Sequence, residues 1–267
     1  MRGAERLFMG RRAYKWVVRD WFALEDLRAA SEVLGTMRFT RQIEPQIMAG
    51  PQHDQILVLA PHPDDEVIGP GGTLIRAARA GKKVTVLFLT SGVNCETAIR
   101  NSEAKACCAA NGFDANFLNQ VAGQIDLDKT AAATADVIAR LKPGALFLPF
   151  VLDDHDDHRL ANEVLLRALS AVNDNMPEIW AYQVYTPLPG NVVVDISDMI
   201  DAKCDAIQMY ESQMQRRDWA HFARGLNAFN CRLLSGNKTK SYAESFFVVP
   251  CHDYLDICCR YFAPGSA

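Results

Sequence analysis

The chain lacks long apolar runs, an excess of positive charge and any low-complexity tract. No apolar run reaches the roughly 18 residues that a membrane-spanning helix needs, so a transmembrane segment is not expected. Lys and Arg number 28 against 32 Asp and Glu, which gives a formal net charge of −4. This balance argues against a general nucleic-acid binder, because neutralising a phosphate backbone requires clustered cations.

The eight cysteines show neither the spacing of a disulfide framework nor that of a thiolate zinc site. No CxxC pair occurs, and Cys107-Cys108 and Cys258-Cys259 are adjacent pairs. With 267 residues, 49% of them hydrophobic, the chain can bury a sufficient core without cross-links. We therefore expect reduced cysteines and a cytoplasmic protein.

The first 50 residues differ from the rest because they are locally basic and carry apolar residues at roughly helical spacing. Basic side chains interrupt every apolar stretch, so the core of a signal peptide is not expected. The spacing predicts a helical arm over residues 1–50 that packs on the main domain or on a neighbouring subunit. Peripheral contact with an anionic membrane is the alternative. A homo-oligomer is left open, and residues 51–267 are predicted to form the second domain.

From residue 55 onward, short apolar runs alternate with amphipathic helical segments, as in proteins with a parallel sheet. The pattern predicts an α/β fold: a Rossmann-like, doubly wound, mostly parallel sheet with helices on both faces. Strands are predicted over 55–60, 83–89, 115–118, 145–148, 179–185, 191–196 and 243–249, and helices over 71–80, 97–111, 129–141, 159–172 and 198–216.

Two loops that follow predicted strands are unusually rich in acidic residues and histidine. They read Pro61-His62-Pro63-Asp64-Asp65-Glu66 and Asp153-Asp154-His155-Asp156-Asp157-His158-Arg159. Ligands of such sheets bind beyond the carboxyl ends of the strands, where both loops would lie. A simple alternative is that the acids cap the next helix, but a single aspartate would do that. So many buried carboxylates would instead need a cation.

The residue types suggest a hydrolytic metal centre. His62 and Asp65 are close enough in sequence to face one point, and His158 would complete a set of three ligands. Two histidines and one carboxylate leave a coordination position for water, as catalytic zinc requires. Zinc lowers the pKa of that water to about 7, and the neighbouring Asp64 is suited to act as its general base. Zn²⁺ is therefore the predicted cofactor, with Fe²⁺ as the alternative in the cell.

Several blocks of the sequence resemble the PIG-L / LmbE-like de-N-acetylase family. The first is His62-Pro63-Asp64-Asp65-Glu66, and the second is the His155–Arg159 segment, in which Asp156 stands where the family usually has proline. Further blocks in the same order span roughly residues 54–250; they include Leu89-Thr90-Ser91-Gly92, Arg100 with Glu103, Tyr210-Glu211-Ser212-Gln213 and Ala243-Glu244-Ser245-Phe246.

The resemblance implies a role for each matching residue. His62, Asp65 and His158 would hold zinc, and Asp64 would be the base that activates water. His155 would stabilise the oxyanion, and Asp157 would orient a histidine unless it only caps the next helix. Arg100 would contact substrate hydroxyls or phosphate, unless it forms an ion pair with Glu103 on the same helix face instead.

The resemblance therefore implies a zinc-dependent N-deacetylase that acts on a small-molecule or lipid-linked N-acetylglucosamine-type conjugate and releases acetate. Residue spacing alone supports only metal-assisted hydrolysis. Three alternatives remain: an amidase for a non-sugar N-acyl substrate, an inactive Rossmann-like binding module, and a non-haem Fe(II) oxygenase. The oxygenases use the same ligand types, but they would consume oxygen rather than release acetate.

Overall fold

The structure is a computed structural model, and it describes residues 45–91, 96–169, 176–234, 236 and 240–262. Residues 1–44, which make up most of the predicted arm, lie outside these ranges. The predicted contacts of the arm with the main domain, a second subunit or a membrane therefore remain predictions.

One eight-stranded sheet organises the described residues, in the order β1-β7-β8-β6-β5-β2-β3-β4. All neighbouring strands are parallel except that β8 is antiparallel to β6 and β7. The predicted α/β class with a mostly parallel sheet is thus confirmed. The strands are β1 (Gln46–Met48), β2 (Gln55–Ala60), β3 (Lys83–Thr90), β4 (Phe113–Gln120), β5 (Ala145–Pro149), β6 (Glu178–Tyr182), β7 (Val192–Asp195) and β8 (Ala243–Pro250).

Helices connect the strands and cover both faces of the sheet. They are α1 (Asp65–Ile68), α2 (Gly71–Arg79), α3 (Glu96–Asn111), α4 (Leu127–Leu141), α5 (Asp156–Leu169), α6 (Ile200–Gln208), α7 (Glu211–Met214), α8 (Trp219–Asn230) and α9 (Cys251–Phe262). A short 3-10 turn, Cys231–Leu233, follows α8.

The alternation of side chains along β2 explains the two layers of helices. Ile56, Val58 and Ala60 belong to one hydrophobic cluster, whereas Leu57 and Leu59 belong to the other, and all five are fully buried. Because successive side chains of a strand point to opposite faces, a strand with a continuous apolar run needs a covered sheet on both sides.

The structure differs from the predicted elements at several places. Helix α5 begins at Asp156, not 159, and the single helix predicted over 198–216 is two helices, α6 and α7. Helices α8 and α9 were not predicted. Strand β1 lies within the predicted helical arm, and it pairs in parallel with β7, so Gln46–Met48 is part of the sheet.

The cysteines and the helices bear on two further sequence-based expectations. The seven cysteines in the described ranges are all free thiols. Among the helices that the structure describes, none combines the length and the apolar character needed to cross a membrane.

Candidate metal centre

The two acidic loops lie side by side because the strands that precede them are neighbours in the sheet. Strand β2 pairs in parallel with β5, so both strands end at what we call the carboxyl edge. The first loop runs from β2 into α1, and the second runs from β5 into α5. Residues 95 positions apart in sequence thereby come into direct contact.

The carboxylate of Asp65 lies between two imidazoles. Its Oδ2 is 3.2 Å from Nδ1 of His62 and 3.3 Å from Nε2 of His158. The backbone N–H of His62 donates to the same oxygen at 2.9 Å. Asp65 and His158 are almost completely inaccessible to solvent. The structure therefore brings together the three residues predicted to be metal ligands.

The other nitrogen of each imidazole faces a second carboxylate. Nε2 of His62 is 2.9 Å from Oδ2 of Asp157, and Nδ1 of His158 is 3.0 Å from Oδ1 of Asp153. We call Asp153 and Asp157 the outer carboxylates. Such partners fix the tautomer and orientation of a metal-binding histidine and raise its basicity.

This donor set fits a divalent cation. Nε2 of His158 is a buried nitrogen that makes no well-formed hydrogen bond among the described residues, although Oδ2 of Asp65 lies 3.3 Å away, and such a nitrogen is costly unless something binds there. One nitrogen each from His62, His155 and His158 also lies within 4.8 Å of the others. Imidazole and carboxylate together are ligand types suited to zinc and to Fe(II).

His155 is held in a different way from the other two histidines. Its Nδ1 accepts a hydrogen bond from the backbone N–H of Asp157 at 3.1 Å. Burial, followed by the nearby His62 and His158, lowers the pKa of His155 to about 4. A lowered pKa and an accepting Nδ1 leave His155 as a neutral imidazole with its proton on Nε2, and such an N–H group can donate to a developing oxyanion.

Burial and neighbouring charges also shift the pKa values of Asp64 and His158. Burial raises the pKa of Asp64 to about 7, with a further contribution from the charge of Asp65. The pKa of His158 is raised to about 10, because the carboxylates of Asp65 and Asp153 outweigh the effect of burial. A bound divalent cation would favour the neutral, ligating form of this imidazole.

Arg100 contacts the first loop. Its Nη2 donates to the backbone oxygen of Pro63 at 2.9 Å and lies 3.6 Å from Oδ2 of Asp64. The alternative ion pair with Glu103 does not form, since the Glu103 carboxylate accepts hydrogen bonds from the N–H and the hydroxyl of Ser212. The predicted contact of Arg100 with substrate stays a prediction, although the side chain does line the pocket described next.

An open pocket of about 470 Å³ lies at the carboxyl edge above these groups. Several of its walls come from residues for which no role was predicted, and the α7–α8 region supplies three of them. The pocket is lined by His62, Asp64, Arg100, Ala122, Gly123, His155, Asp156, Asp157, Tyr185, Gln213, Arg216 and Trp219.

Asp153 and Asp156 belong to the second acidic loop, and neither was predicted to act at the metal centre. The position of Asp153 could have indicated its role, because it is the first acidic residue after β5. Asp156, which stands where the family usually has proline, has a side chain that is 82% exposed and pairs with Arg159.

Comparison with known proteins shows which family this segment of the chain is similar to. The sequence profile described as "PIG-L: GlcNAc-PI de-N-acetylase" matches residues 57–169, the segment that contains both acidic loops. The resemblance seen in the motifs is thereby confirmed.

Individual members of the family extend the likeness beyond that segment. The diacetylchitobiose deacetylase of Thermococcus kodakarensis is 28% identical over 236 residues, which cover 76% of this chain and 86% of that protein. A Bacillus cereus protein named probable N-acetyl-α-D-glucosaminyl L-malate deacetylase 2 is 27% identical over 184 residues, covering 60% of this chain and 84% of its own length.

A solved structure supports the fold. The N,N′-diacetylchitobiose deacetylase of Pyrococcus horikoshii superposes with a TM-score of 0.65 at 20% identity, covering 90% of this chain and 97% of that one. At this level of identity, the likeness establishes the shared architecture only.

Proposed function

We propose that this protein is a zinc-dependent N-deacetylase of the PIG-L family that removes the acetyl group from an N-acetylglucosamine-type conjugate. The observation that carries the proposal is the paired arrangement of His62 and His158. Each imidazole presents one nitrogen to Asp65 and the other to an outer carboxylate. This pattern is typical of histidines that bind a catalytic metal.

The residues that would hold the ion are His62, Asp65 and His158. Bound there, a zinc ion would polarise the acetamide carbonyl and make water easier to deprotonate. Asp64 lines the pocket together with His62, and its Oδ2 lies 3.6 Å from Nη2 of Arg100. It is thus the carboxylate available for proton transfer.

The chain's own groups account for the movement of protons. Asp64 takes a proton from water as the water oxygen bonds to the acetamide carbon. Nε2–H of His155 donates to the carbonyl oxygen while negative charge develops there. Asp64 then gives its proton to the sugar nitrogen as the carbon–nitrogen bond breaks. The products are a free amine and acetic acid, which loses its proton to the solvent or to the amine and leaves as acetate.

The substrate class follows from the relatives. Their names place the acetyl group on a glucosamine unit, whereas the second part differs: a second sugar in one and malate in the other. The pocket of about 470 Å³ falls within the usual range for a small-molecule site. We therefore propose a small amino-sugar conjugate as the substrate and leave its second part open.

The direct test measures acetate released from a panel of N-acetylglucosamine conjugates by the zinc-loaded protein. Activity should disappear when a chelator removes the metal and return when zinc is added. N-acetylated amino acids in the same panel test the non-sugar amidase alternative. If the zinc-loaded protein releases acetate from none of the conjugates, the proposed function is wrong.

Asp64→Asn separates proton transfer from metal binding. An amide cannot accept a proton from water, so acetate release should fall by a factor of about 10²–10⁴. Because Asp64 is not one of the proposed ligands, the variant should still bind one zinc ion per chain, measured by elemental analysis. Turnover close to wild type would show that Asp64 is not the base.

A further inference from the structure

Asp64 adopts a backbone conformation that residues with a side chain rarely adopt. Its φ is 123° and its ψ is −27°, and it is one of three non-glycine residues with positive φ in the described ranges. Such strain persists only where surrounding contacts enforce it, and it is concentrated at active sites. The contacts that enforce it here can be identified.

Both polar atoms of the peptide bond between Pro63 and Asp64 are held by side chains. Nη2 of Arg100 donates to the oxygen of Pro63 at 2.9 Å. On the other side of the same peptide, the N–H of Asp64 donates to Oε2 of Glu66 at 3.0 Å. The peptide therefore cannot rotate without losing two hydrogen bonds, one of them to a guanidinium and the other to a carboxyl group.

Glu66 is itself fixed from a distant part of the chain. It is completely buried, and its Oε1 accepts a short hydrogen bond from the hydroxyl of Tyr210, which lies 144 residues away just before α7. A glutamate that only caps a helix reaches back to the N-terminal backbone without needing such a distant partner. The burial and the second contact of Glu66 go beyond capping.

The strained turn also separates two adjacent carboxylates. Asp65 points its Oδ2 at the two imidazoles, whereas Asp64 lines the pocket and lies near Arg100. Two consecutive aspartates can serve one site in different roles only if the backbone between them directs them apart.

We propose that Glu66, Tyr210 and Arg100 are positioning residues that hold Asp64 in its strained conformation at the metal centre. We name this set the Asp64 clamp. The proposal rests on the proposed function, since it assigns these three side chains to the placement of the base. It also gives Arg100 a role in addition to the predicted contact with substrate.

The central experiment compares two buried tyrosines. Tyr210→Phe removes the hydroxyl that fixes Glu66. Tyr254→Phe makes the same chemical change at a fully buried tyrosine on α9, whose hydroxyl contacts Asn162 and Val151. A displacement of a catalytic group by about 1 Å can cost about 10²-fold in rate, so Tyr210→Phe should lower kcat by about 10- to 100-fold. KM and zinc content should stay as in the wild type, and Tyr254→Phe should leave kcat unchanged.

Two further variants test the other members of the clamp. Glu66→Gln keeps an oxygen that can accept from the N–H of Asp64, so it should retain much more activity than Glu66→Ala. Arg100→Lys should lower kcat at constant KM if Arg100 holds the peptide. A rise in KM alone would assign Arg100 to substrate binding and remove it from the clamp.

Amide hydrogen exchange at Asp64, measured by NMR on the zinc-loaded protein, tests the clamp without any substrate. Exchange at this amide should be faster in Tyr210→Phe and Glu66→Ala than in wild type and Tyr254→Phe. Equal exchange in all four proteins, or equal loss of kcat in the two tyrosine variants, would overturn the clamp. A wild-type protein that releases no acetate would defeat the proposed function instead, and the exchange result would still decide whether the clamp exists.

Discussion

Among the described residues, two cavities of nearly the same size lie at opposite edges of the sheet. The carboxyl-edge pocket encloses about 470 Å³, and a cavity of about 480 Å³ lies at the amino ends of β2, β5 and β6. We call the second one the amino-edge cavity. It too contains ionisable side chains, among them His53, Lys142, Glu178 and His252.

The two cavities differ in how their ionisable groups are arranged. At the carboxyl edge, imidazoles and carboxylates are buried and face one another within about hydrogen-bond distance. At the amino edge, the side chain of His252 is 75% exposed and its nearest acidic partner is the adjacent Asp253. Among the described residues, only the carboxyl edge gathers three potential metal ligands. Convergence of buried groups, and not cavity volume, marks the functional site.

The largest difference between the two edges should appear when one histidine is removed from each. His158→Ala deletes one of three proposed ligands, so the protein should lose stoichiometric zinc and acetate release should fall to background. His252→Ala should change neither quantity, because this histidine is exposed and far from the ligand set. Zinc content by elemental analysis and acetate release measure both effects. Retention of one zinc ion by His158→Ala would contradict the assigned centre.

A smaller effect is expected from an outer carboxylate. Asp153 fixes Nδ1 of His158, and its other oxygen accepts the N–H of Tyr185 at 3.1 Å. Loss of such a partner costs about 10- to 100-fold in metal affinity or activity, so Asp153→Asn should weaken zinc binding by that factor. Competition with a fluorescent chelator measures the affinity.

The matched control for Asp153→Asn is Glu178→Gln at the amino edge, which should bind zinc as the wild type does. If the two variants bind zinc equally well, Asp153 does not support the metal centre.

The smallest predicted effects come from replacing one glycine at each edge with alanine. A Cβ at Gly69 would lie 2.3 Å from the ring of Tyr182, which is fully buried and has no space to move. A Cβ at Gly144 would lie 2.4 Å from Cγ and 2.6 Å from Cβ of His53, so rotation of this exposed ring relieves only part of the overlap and the exposed His53 segment must also shift. Gly69→Ala should therefore destabilise the protein by about 1–3 kcal/mol, and Gly144→Ala by less, about 0.5–1 kcal/mol. Denaturant unfolding measures both, and equal losses would refute this account.

Local patterns were enough to predict most strands. The continuous apolar run of β2 and the alternating helical segments gave the parallel sheet, because a strand buried on both faces must be apolar at every position. The start of α5 was missed for the opposite reason. Asp156 and Asp157 look like loop residues, yet acids are also favoured in the first turn of a helix, where they interact with its positive end.

The proposed metal ligands could be chosen from the sequence because they lie within two short motifs. Asp153 and the clamp were harder to infer, since their roles depend on which atoms they meet. Glu66 follows Asp64 by two positions, but its partner Tyr210 is 144 residues away from it. No periodicity or spacing links two positions that are so far apart.

The sequence by itself determined the alternation of strands and helices, the acidic loops and the residue types available for catalysis, because these follow from local propensity and side-chain chemistry. Only the tertiary structure decided that β2 and β5 are neighbours, that each imidazole has an inner and an outer carboxylate, and that Tyr210 reaches Glu66. Those contacts depend on strand order and on the packing of distant helices, so they exist only once the whole sheet has formed.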